Sequence, residues 1–145
     1  MIKFTVPGTP VSKLRHRTFI TKGGSQRQYT PPETILYENM VAICCREAMN
    51  VRVQSGLPES SGNGRTSGAV GLTARFYFPV AKSREKRIEE GQRHCQRPDL
   101  DNCIKSIKDG LNGVAWNDDC CVCEVVASKH WTHLAPRAEI TVEEL

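Results

Sequence analysis

The sequence predicts an α/β or α+β domain in which helices pack over a small mixed β-sheet. One observation is a strict alternation of apolar and other residues over 70–78, the pattern of a half-buried strand. A second is a helical spacing of apolar residues from about Pro32 to Asn50. A third is an amphipathic helix over residues 101–111, capped by Asp101 or Asn102 and ended by Asn112-Gly113.

The other elements follow from turn signals and shorter patterns. Residues 2–6 alternate as a strand up to Pro7-Gly8, and 7–32 have the composition of a long basic loop. A flexible Gly/Ser-rich loop is predicted at about 54–68, and a charged surface helix at 82–91. Residues 122–131 and 137–142 are predicted strands joined by a turn near Pro136. The order is roughly βαβααββ, and residues 1–145 are expected to form a single domain.

The composition indicates a cytoplasmic protein. The 145 residues are 39% hydrophobic, enough for one core. The N-terminus lacks the apolar run of a signal peptide, and no stretch approaches the ~20 apolar residues of a membrane span. The seven cysteines are an odd number and include two adjacent pairs, so reduced and mostly buried thiols are expected.

The net charge of +4 is modest, but its distribution is uneven. The first 32 residues contain no acidic residue. Their basic residues are Lys3, Lys13, Arg15, Arg17, Lys22 and Arg27. A second cluster contains Lys82, Arg84, Lys86, Arg87, Arg93 and Arg97. Such clusters suit the phosphates of a nucleic acid, although a solvated charged surface is an equally good explanation of charge alone.

Two acidic pairs lie on either side of the predicted 101–111 helix. Asp99 and Asp101 precede or begin it, and Asp118 and Asp119 follow it at the entrance to a strand. Carboxylates that converge repel each other unless a cation lies among them, and hard oxygen ligands suit Mg²⁺ or Mn²⁺. Lys105 and Lys108 share the helix face of Asp101, where Lys105 can meet a phosphate. Together these residues predict a metal-assisted site for phosphodiester hydrolysis.

Structural explanations compete with this hypothesis. Aspartates at helix starts are commonly caps, and an Asp-Asp pair before a strand is commonly a turn. Cys120 and Cys123 form C-x-x-C ahead of His130 and His133, which suggests zinc, but residues three apart on a strand point to opposite faces. Trp116 and Trp131 are expected in the core or at a subunit interface rather than stacked on bases.

The run RPDLDNCIKSIKDGLNGVAWNDDCCV, residues 97–122, resembles the core of the RusA-type Holliday-junction resolvases. The family pattern is basic-Pro-Asp-x-Asp-Asn-Leu-x-Lys, then Asp-Ala-Leu-Asn-Gly, then Trp-x-Asp-Asp-x-Gln-Val. The segment VPGTPVSKLRHR, residues 6–17, resembles the family's N-terminal part. The likeness spans most of the chain and is weakest over 51–68. Cys103 and the pair Cys120-Cys121 depart from the pattern, the latter replacing a small residue and Gln.

The resemblance implies a small homodimeric endodeoxyribonuclease, common in phages and prophages, that uses Mg²⁺ or Mn²⁺ to nick paired strands of four-way junctions. By position, it implies that Asp99, Asp101 and Asp119 bind metal and that Lys105 is the catalytic lysine. Asp118 would be either an alternative metal ligand or a residue that supports the ligands without contacting the metal. No small-molecule cofactor and no membrane are expected.

DNA-binding residues are expected in both basic clusters and on the helix: Lys13, Arg15, Arg17, Lys22, Arg93, Arg97 and Lys108. Two other functions remain open: a branched-DNA-binding protein without catalysis, and a metal-dependent nuclease for flaps or other branched DNA. A pure binder has no use for carboxylates beside phosphates, because these repel without a metal.

Overall fold

The computed structural model of the protein describes residues 1–13, 17–54 and 65–145, with only the backbone of Arg17, Phe19, Gln28 and Val53. In these ranges the strands are β1 (Ile2–Pro7), β2 (Arg17–Ile20), β3 (Gln26–Tyr29), β4 (Val70–Pro79), β5 (Val122–Thr132) and β6 (Arg137–Glu144). The helices are α1 (Pro32–Gln54) and α2 (Leu100–Leu111), with 3-10 turns at Lys82–Arg84 and Asp119–Cys121. The predicted mixed α+β architecture is confirmed.

The main sheet has the strand order β1-β6-β4-β5. β4 pairs in parallel with β5 and antiparallel with β6, which in turn pairs antiparallel with β1. Ala74, at the middle of the sheet, lies between Ala127 of β5 and Ile140 of β6. β5 and β6 are therefore not a hairpin, although they follow each other in sequence, because β4 is inserted between them.

The core lies between one face of this sheet and the two helices. Alternate residues of β1, β4 and β6 are buried on that face, among them Val6, Phe76 and Ile140. From α2 the buried apolar residues are Cys103, Ile107 and Leu111, spaced four apart so that they form one stripe. The amphipathic helix predicted over 101–111 is confirmed, with Cys103 fully buried near its start and the neighbouring Ile104 only half-buried.

Both tryptophans belong to the core. Trp116 is fully buried and Trp131 is almost so. Burial of these large side chains stabilises the fold and leaves neither ring open for stacking on a base. The backbone at Thr66 is attached next to Trp116, because the Thr66 amide donates a hydrogen bond to the Ala115 carbonyl at 3.1 Å.

Two sequence predictions of local structure were wrong. Residues 7–32 are not one loop, since β2 and β3 form a hairpin whose turn includes Gly24 at φ 79°. The polar composition hid these strands. Residues 82–91 are not a helix beyond the turn at Lys82–Arg84, because this charged stretch has no apolar stripe to bury and Gly91 adopts φ 77°.

Other boundaries differ slightly. α1 continues to Gln54, and residues 55–64 of the predicted flexible loop lie outside the described ranges. α2 begins at Leu100, so that Asp99 rather than Asp101 or Asn102 holds the N-cap position. None of the helices described is both long and apolar enough to cross a membrane.

The two helices cross closely at Gly110. A β-carbon built there would lie 2.8 Å from the Glu38 carbonyl oxygen and 2.9 Å from the Val41 β-carbon. Only a glycine allows the backbones to approach this closely.

We expect Gly110→Ala to lower the free energy of unfolding by about 1–2 kcal/mol, because the overpacking outweighs the better helix propensity of alanine. Urea denaturation followed by circular dichroism measures the change. Gly23→Ala, which meets no atom within 4 Å, is the control and should leave stability nearly unchanged. Equal stability of the Gly110 variant and the wild type would contradict the close crossing.

Candidate active site

The segment that leads to the acidic residues lies along the outer edge of β5. The amides of Gly91 and His94 donate to the carbonyls of Trp131 and Lys129, both at 3.0 Å, and the Trp131 amide donates to the Gln92 carbonyl at 2.8 Å. A peptide bond in the cis form joins Arg97 to Pro98 at the end of this segment. The backbone before α2 is thus attached to the edge of the sheet by main-chain hydrogen bonds, although it forms no regular strand.

Lys129 extends this attachment with its side chain. It stands in β5 beside Phe76, on the face covered by the helices. Its ammonium donates to the Gln96 carbonyl at 2.7 Å and also to the Pro98 carbonyl. The second of these carbonyls belongs to the peptide bond immediately before Asp99.

Asp99 and Asp101 lie together at the N-terminal end of α2. Asp99 has the extended backbone of an N-cap residue, yet no capping hydrogen bond from its side chain is found in the described structure. Asp101 is exposed, and among the residues described its carboxylate has no hydrogen-bonding or ion-pair partner. The helix-cap explanation therefore does not account for either carboxylate.

The two carboxylates are close enough to act on one thiol. Burial raises the pKa of Cys103 to about 11, while the positive charge of Lys129 opposes the rise and the charges of Asp101 and Asp99 add to it. Negative charge at this end of a helix is favoured by the helix dipole. An exposed pair without a protein partner is a suitable donor set for a hard divalent cation.

Lys105 lies one turn after Asp101 on the same face of α2. Its side chain is 59% exposed and its ammonium is 3.3 Å from the Asp109 carboxylate. Asp109 also pairs with Lys13 at 2.8 Å, and Lys13 pairs with Glu38 of α1 at 2.6 Å. Lys105 is thus accessible to a ligand while one anchored carboxylate restrains it.

The pKa directions agree with this network. Burial by itself raises the pKa of Asp109, but the hydrogen bond and charge of Lys13, followed by those of Lys105, lower it below its ordinary value. Burial lowers the pKa of Lys13, and the bonds to Asp109 and Glu38 outweigh this effect and raise it. Each group is therefore charged at neutral pH.

Asp118 and Asp119 come from the turn before β5. Asp118 accepts a hydrogen bond from the Cys120 amide at 2.9 Å, which lowers its pKa and makes it the cap of the short 3-10 turn. Asp119 accepts a hydrogen bond from the buried Trp116 indole at 3.2 Å through one carboxylate oxygen. That bond orients Asp119 and leaves its second oxygen for another partner.

The structure brings some of the predicted residues together and not others. Asp99 and Asp101 lie at the N-terminal end of α2, and Lys105 follows one turn after Asp101. Within residues 1–13, 17–54 and 65–145, no group of three or more His, Cys, Asp and Glu side chains is arranged to hold a metal ion. Asp119 therefore does not complete a cluster with the other two carboxylates here.

The rings of the two zinc-candidate histidines bond to backbone carbonyls. His130 bonds to the Gly91 carbonyl at 2.9 Å and His133 to the Ile88 carbonyl at 2.7 Å. Cys120 belongs to the 3-10 turn and not to β5.

The predicted DNA-binding residues divide into three groups. Lys22 in the hairpin turn and Arg97 beside the acidic pair are exposed, and Lys108 is half-exposed within electrostatic reach of Asp118. Arg93 donates to His130 at 3.2 Å, whereas Lys13 is only 15% exposed and holds two carboxylates. Arg15 lies outside the described residues, as does the side chain of Arg17.

Sequence reasoning missed two residues. Asp109 had a detectable signal, because it lies four residues after Lys105 on one helix face. Lys129 had only the weak signal of a charge within a predicted strand. Its partners are 31 and 33 residues away in sequence, and only the fold brings them to it.

Comparison with known proteins identifies the family of this chain. A protein of Bacillus subtilis strain 168, named as the uncharacterized protein YqaN, is 29% identical over 151 residues, which cover 99% of this chain and 96% of that protein. The sequence model of the family described as Endodeoxyribonuclease RusA matches residues 7–143, a range that contains α1, α2 and every candidate residue. The chain therefore belongs to the RusA endodeoxyribonuclease family.

Proposed function

We propose that this chain is a divalent-metal-dependent endodeoxyribonuclease that resolves four-way DNA junctions by paired nicking. Family membership supports an endonuclease of branched DNA. The metal-dependent mechanism is supported by the pair Asp99 and Asp101. Both side chains are exposed at the start of α2 and have no hydrogen-bonding partner in the described chain. No contact within the described chain explains why two carboxylates lie together at this position, whereas binding of a divalent metal ion would.

In this proposal Asp99, Asp101 and Asp119 are the residues that hold Mg²⁺ or Mn²⁺, with Asp118 as an alternative. Because the three carboxylates do not form one cluster among the described residues, holding one ion together would require Asp119 to approach the other two. When bound, such an ion lowers the pKa of a water molecule and offsets negative charge on the phosphate. Trp116 keeps the Asp119 carboxylate in one orientation, as residues behind metal ligands commonly do.

Lys105 acts on the phosphate in this mechanism. Its exposed ammonium contacts the scissile phosphate or the leaving oxygen and stabilises charge that develops in the transition state. Asp109 restrains the lysine without neutralising it fully, because Asp109 is shared with Lys13. The network therefore restrains the ammonium beside Asp109, one to two turns after Asp101, while most of the Lys105 side chain stays exposed.

Two copies acting together would account for paired nicking. A homodimer has a two-fold axis that matches the pseudo-symmetry of a four-way junction, so that each copy meets one of two equivalent strands. The backbone phosphates would be bound by Arg17, Lys22, Arg93, Arg97 and Lys108, with Arg15 retained from the sequence. We leave Lys13 out, because its charge is already engaged by two carboxylates.

A nuclease for flaps or other branched DNA is the second candidate, since it would use the same carboxylates. A binding protein without catalysis is disfavoured by two free carboxylates placed beside Lys105 and Arg97. Purified protein incubated with four-way, flap and linear DNA, in Mg²⁺ and in chelator, separates the three. Cleavage of the four-way junction alone, only with metal, is the expected result.

Asp101→Asn should reduce junction cleavage by at least about 100-fold, because a metal ligand is lost. Binding of the junction should be retained or improved, since a charge that repels phosphate is removed. Gel-based cleavage and mobility-shift assays measure the two effects, with the exposed Glu143→Gln as the control. Cleavage by the Asp101 variant at the wild-type rate would remove this residue from the mechanism.

Lys105→Ala should slow cleavage by about 100–1,000-fold at saturating metal and leave junction affinity within a few fold. The reason is that the ammonium acts on charge present in the transition state. Single-turnover rates measure the effect, and Lys3→Ala on the opposite side of the sheet is the matched lysine control. An equal loss of affinity and rate would indicate that Lys105 serves binding instead.

Junction binding should weaken steeply with salt, by orders of magnitude between 50 and 200 mM if about six phosphates are contacted. Arg97→Gln should reduce the slope of log affinity against log salt by about one. Fluorescence anisotropy at several salt concentrations measures both slopes. Arg46→Gln, an exposed arginine on α1, serves as the control and should keep the wild-type slope.

A further inference from the structure

Lys129 is a charged residue in a place that the core would normally give to an apolar side chain. It lies in β5 on the helix-covered face, beside Phe76 and between Ala127 and Trp131 on that face. A half-buried ammonium at such a position is costly unless its protons are bonded. Packing alone therefore does not explain why a lysine occupies this position.

The bonding partners of Lys129 show what the ammonium holds. They are two backbone carbonyls, of Gln96 and Pro98, and they enclose the last turn before Asp99. Hydrogen bonds from a charged donor are about twice as strong as neutral ones, so they fix this turn more firmly than the amide bonds farther upstream. The backbone of Asp99 follows directly from the second carbonyl.

Lys129 directs its ammonium to these carbonyls and not to a carboxylate. Among the ion pairs of the described residues, none engages Lys129. Its bonds to Gln96 and Pro98 therefore hold the backbone before Asp99 without occupying the oxygens of Asp99 or Asp101.

We propose that Lys129 is a positioning residue of the acidic site, which holds the 96–98 turn so that Asp99 and Asp101 present their carboxylates together to a divalent ion. This inference rests on the proposed function above. Lys129 touches neither the metal nor the DNA in it. It acts through the backbone before Asp99.

The test compares Lys129→Met, which keeps the length and removes all hydrogen bonds, with Lys129→Arg, which keeps the charge and donors. Binding of Mn²⁺ to the full-length protein without DNA is measured by titration calorimetry, and cleavage is measured as kcat and KM over a range of Mn²⁺. We expect the Met variant to bind Mn²⁺ about 10–100-fold more weakly, with activity that recovers partly at high Mn²⁺. The Arg variant should recover most of the affinity.

The controls separate positioning from stability and from the proposed function. Lys3→Met, an exposed strand lysine on the other face of the sheet, should match the wild type in all measurements. If the Met variant does not fold by circular dichroism, Lys129→Gln replaces it, because its side chain is polar but uncharged and one bond shorter, so that it loses the two charged hydrogen bonds. A folded Met or Gln variant with wild-type Mn²⁺ affinity overturns the positioning inference alone.

The proposed function fails in a different way. It fails if the wild type binds no Mn²⁺, or if Asp101→Asn binds it as tightly as the wild type does. Either result also overturns the role given to Lys129.

Discussion

The free edge of β5 is the constraint from which the site follows. A sheet edge leaves backbone donors and acceptors unpaired, and proteins commonly cover or pair such edges. Here residues 91–94 pair with residues 129–131 of β5, and the Lys129 side chain extends the attachment to the carbonyls of Gln96 and Pro98. The chain then turns directly into α2. The position of Asp99 is thus determined by backbone hydrogen bonding to the sheet as well as by its own helix.

Because the sheet and the helix set this position together, the acidic pair does not have to stabilise the structure. Asp99 occupies an N-cap position without capping, and Asp101 is exposed in the first turn. The N-terminal end of a helix favours negative charge, which offsets part of the repulsion between neighbouring carboxylates. The molecule can therefore keep two carboxylates close to a positive flank of Lys105 and Arg97, an arrangement that suits a metal-bound phosphate.

The network of Glu38, Lys13, Asp109 and Lys105 connects the site to the helix packing. Glu38 lies beside the crossing at Gly110, and its carbonyl is the atom that a side chain there would meet. The same crossing brings α1 close enough for Lys13 to bridge Glu38 and Asp109. Lys13, which the sequence predicted to contact DNA, instead supports Lys105 through their shared partner Asp109. Lys105 is the lysine to which the proposed function gives a chemical role.

The sequence by itself determined the features whose signals are local. Alternation over 70–78 determined β4, and the amphipathic pattern over 101–111 determined α2. The motif 97–122 indicated Asp99, Asp101, Asp119 and Lys105 as candidates. Local patterns did not reveal the hairpin at 17–29, because its polar strands lack apolar alternation. They did not reveal the irregular path after Arg84 either, because that segment is held by partners that are distant in sequence. The insertion of β4 between β5 and β6 and the reach of Lys129 to Pro98 were likewise decided by the tertiary structure. Both depend on contacts between residues that are far apart in the chain. Hydrophobic periodicity predicts that a strand or helix forms, but it does not predict which other element that strand or helix will contact.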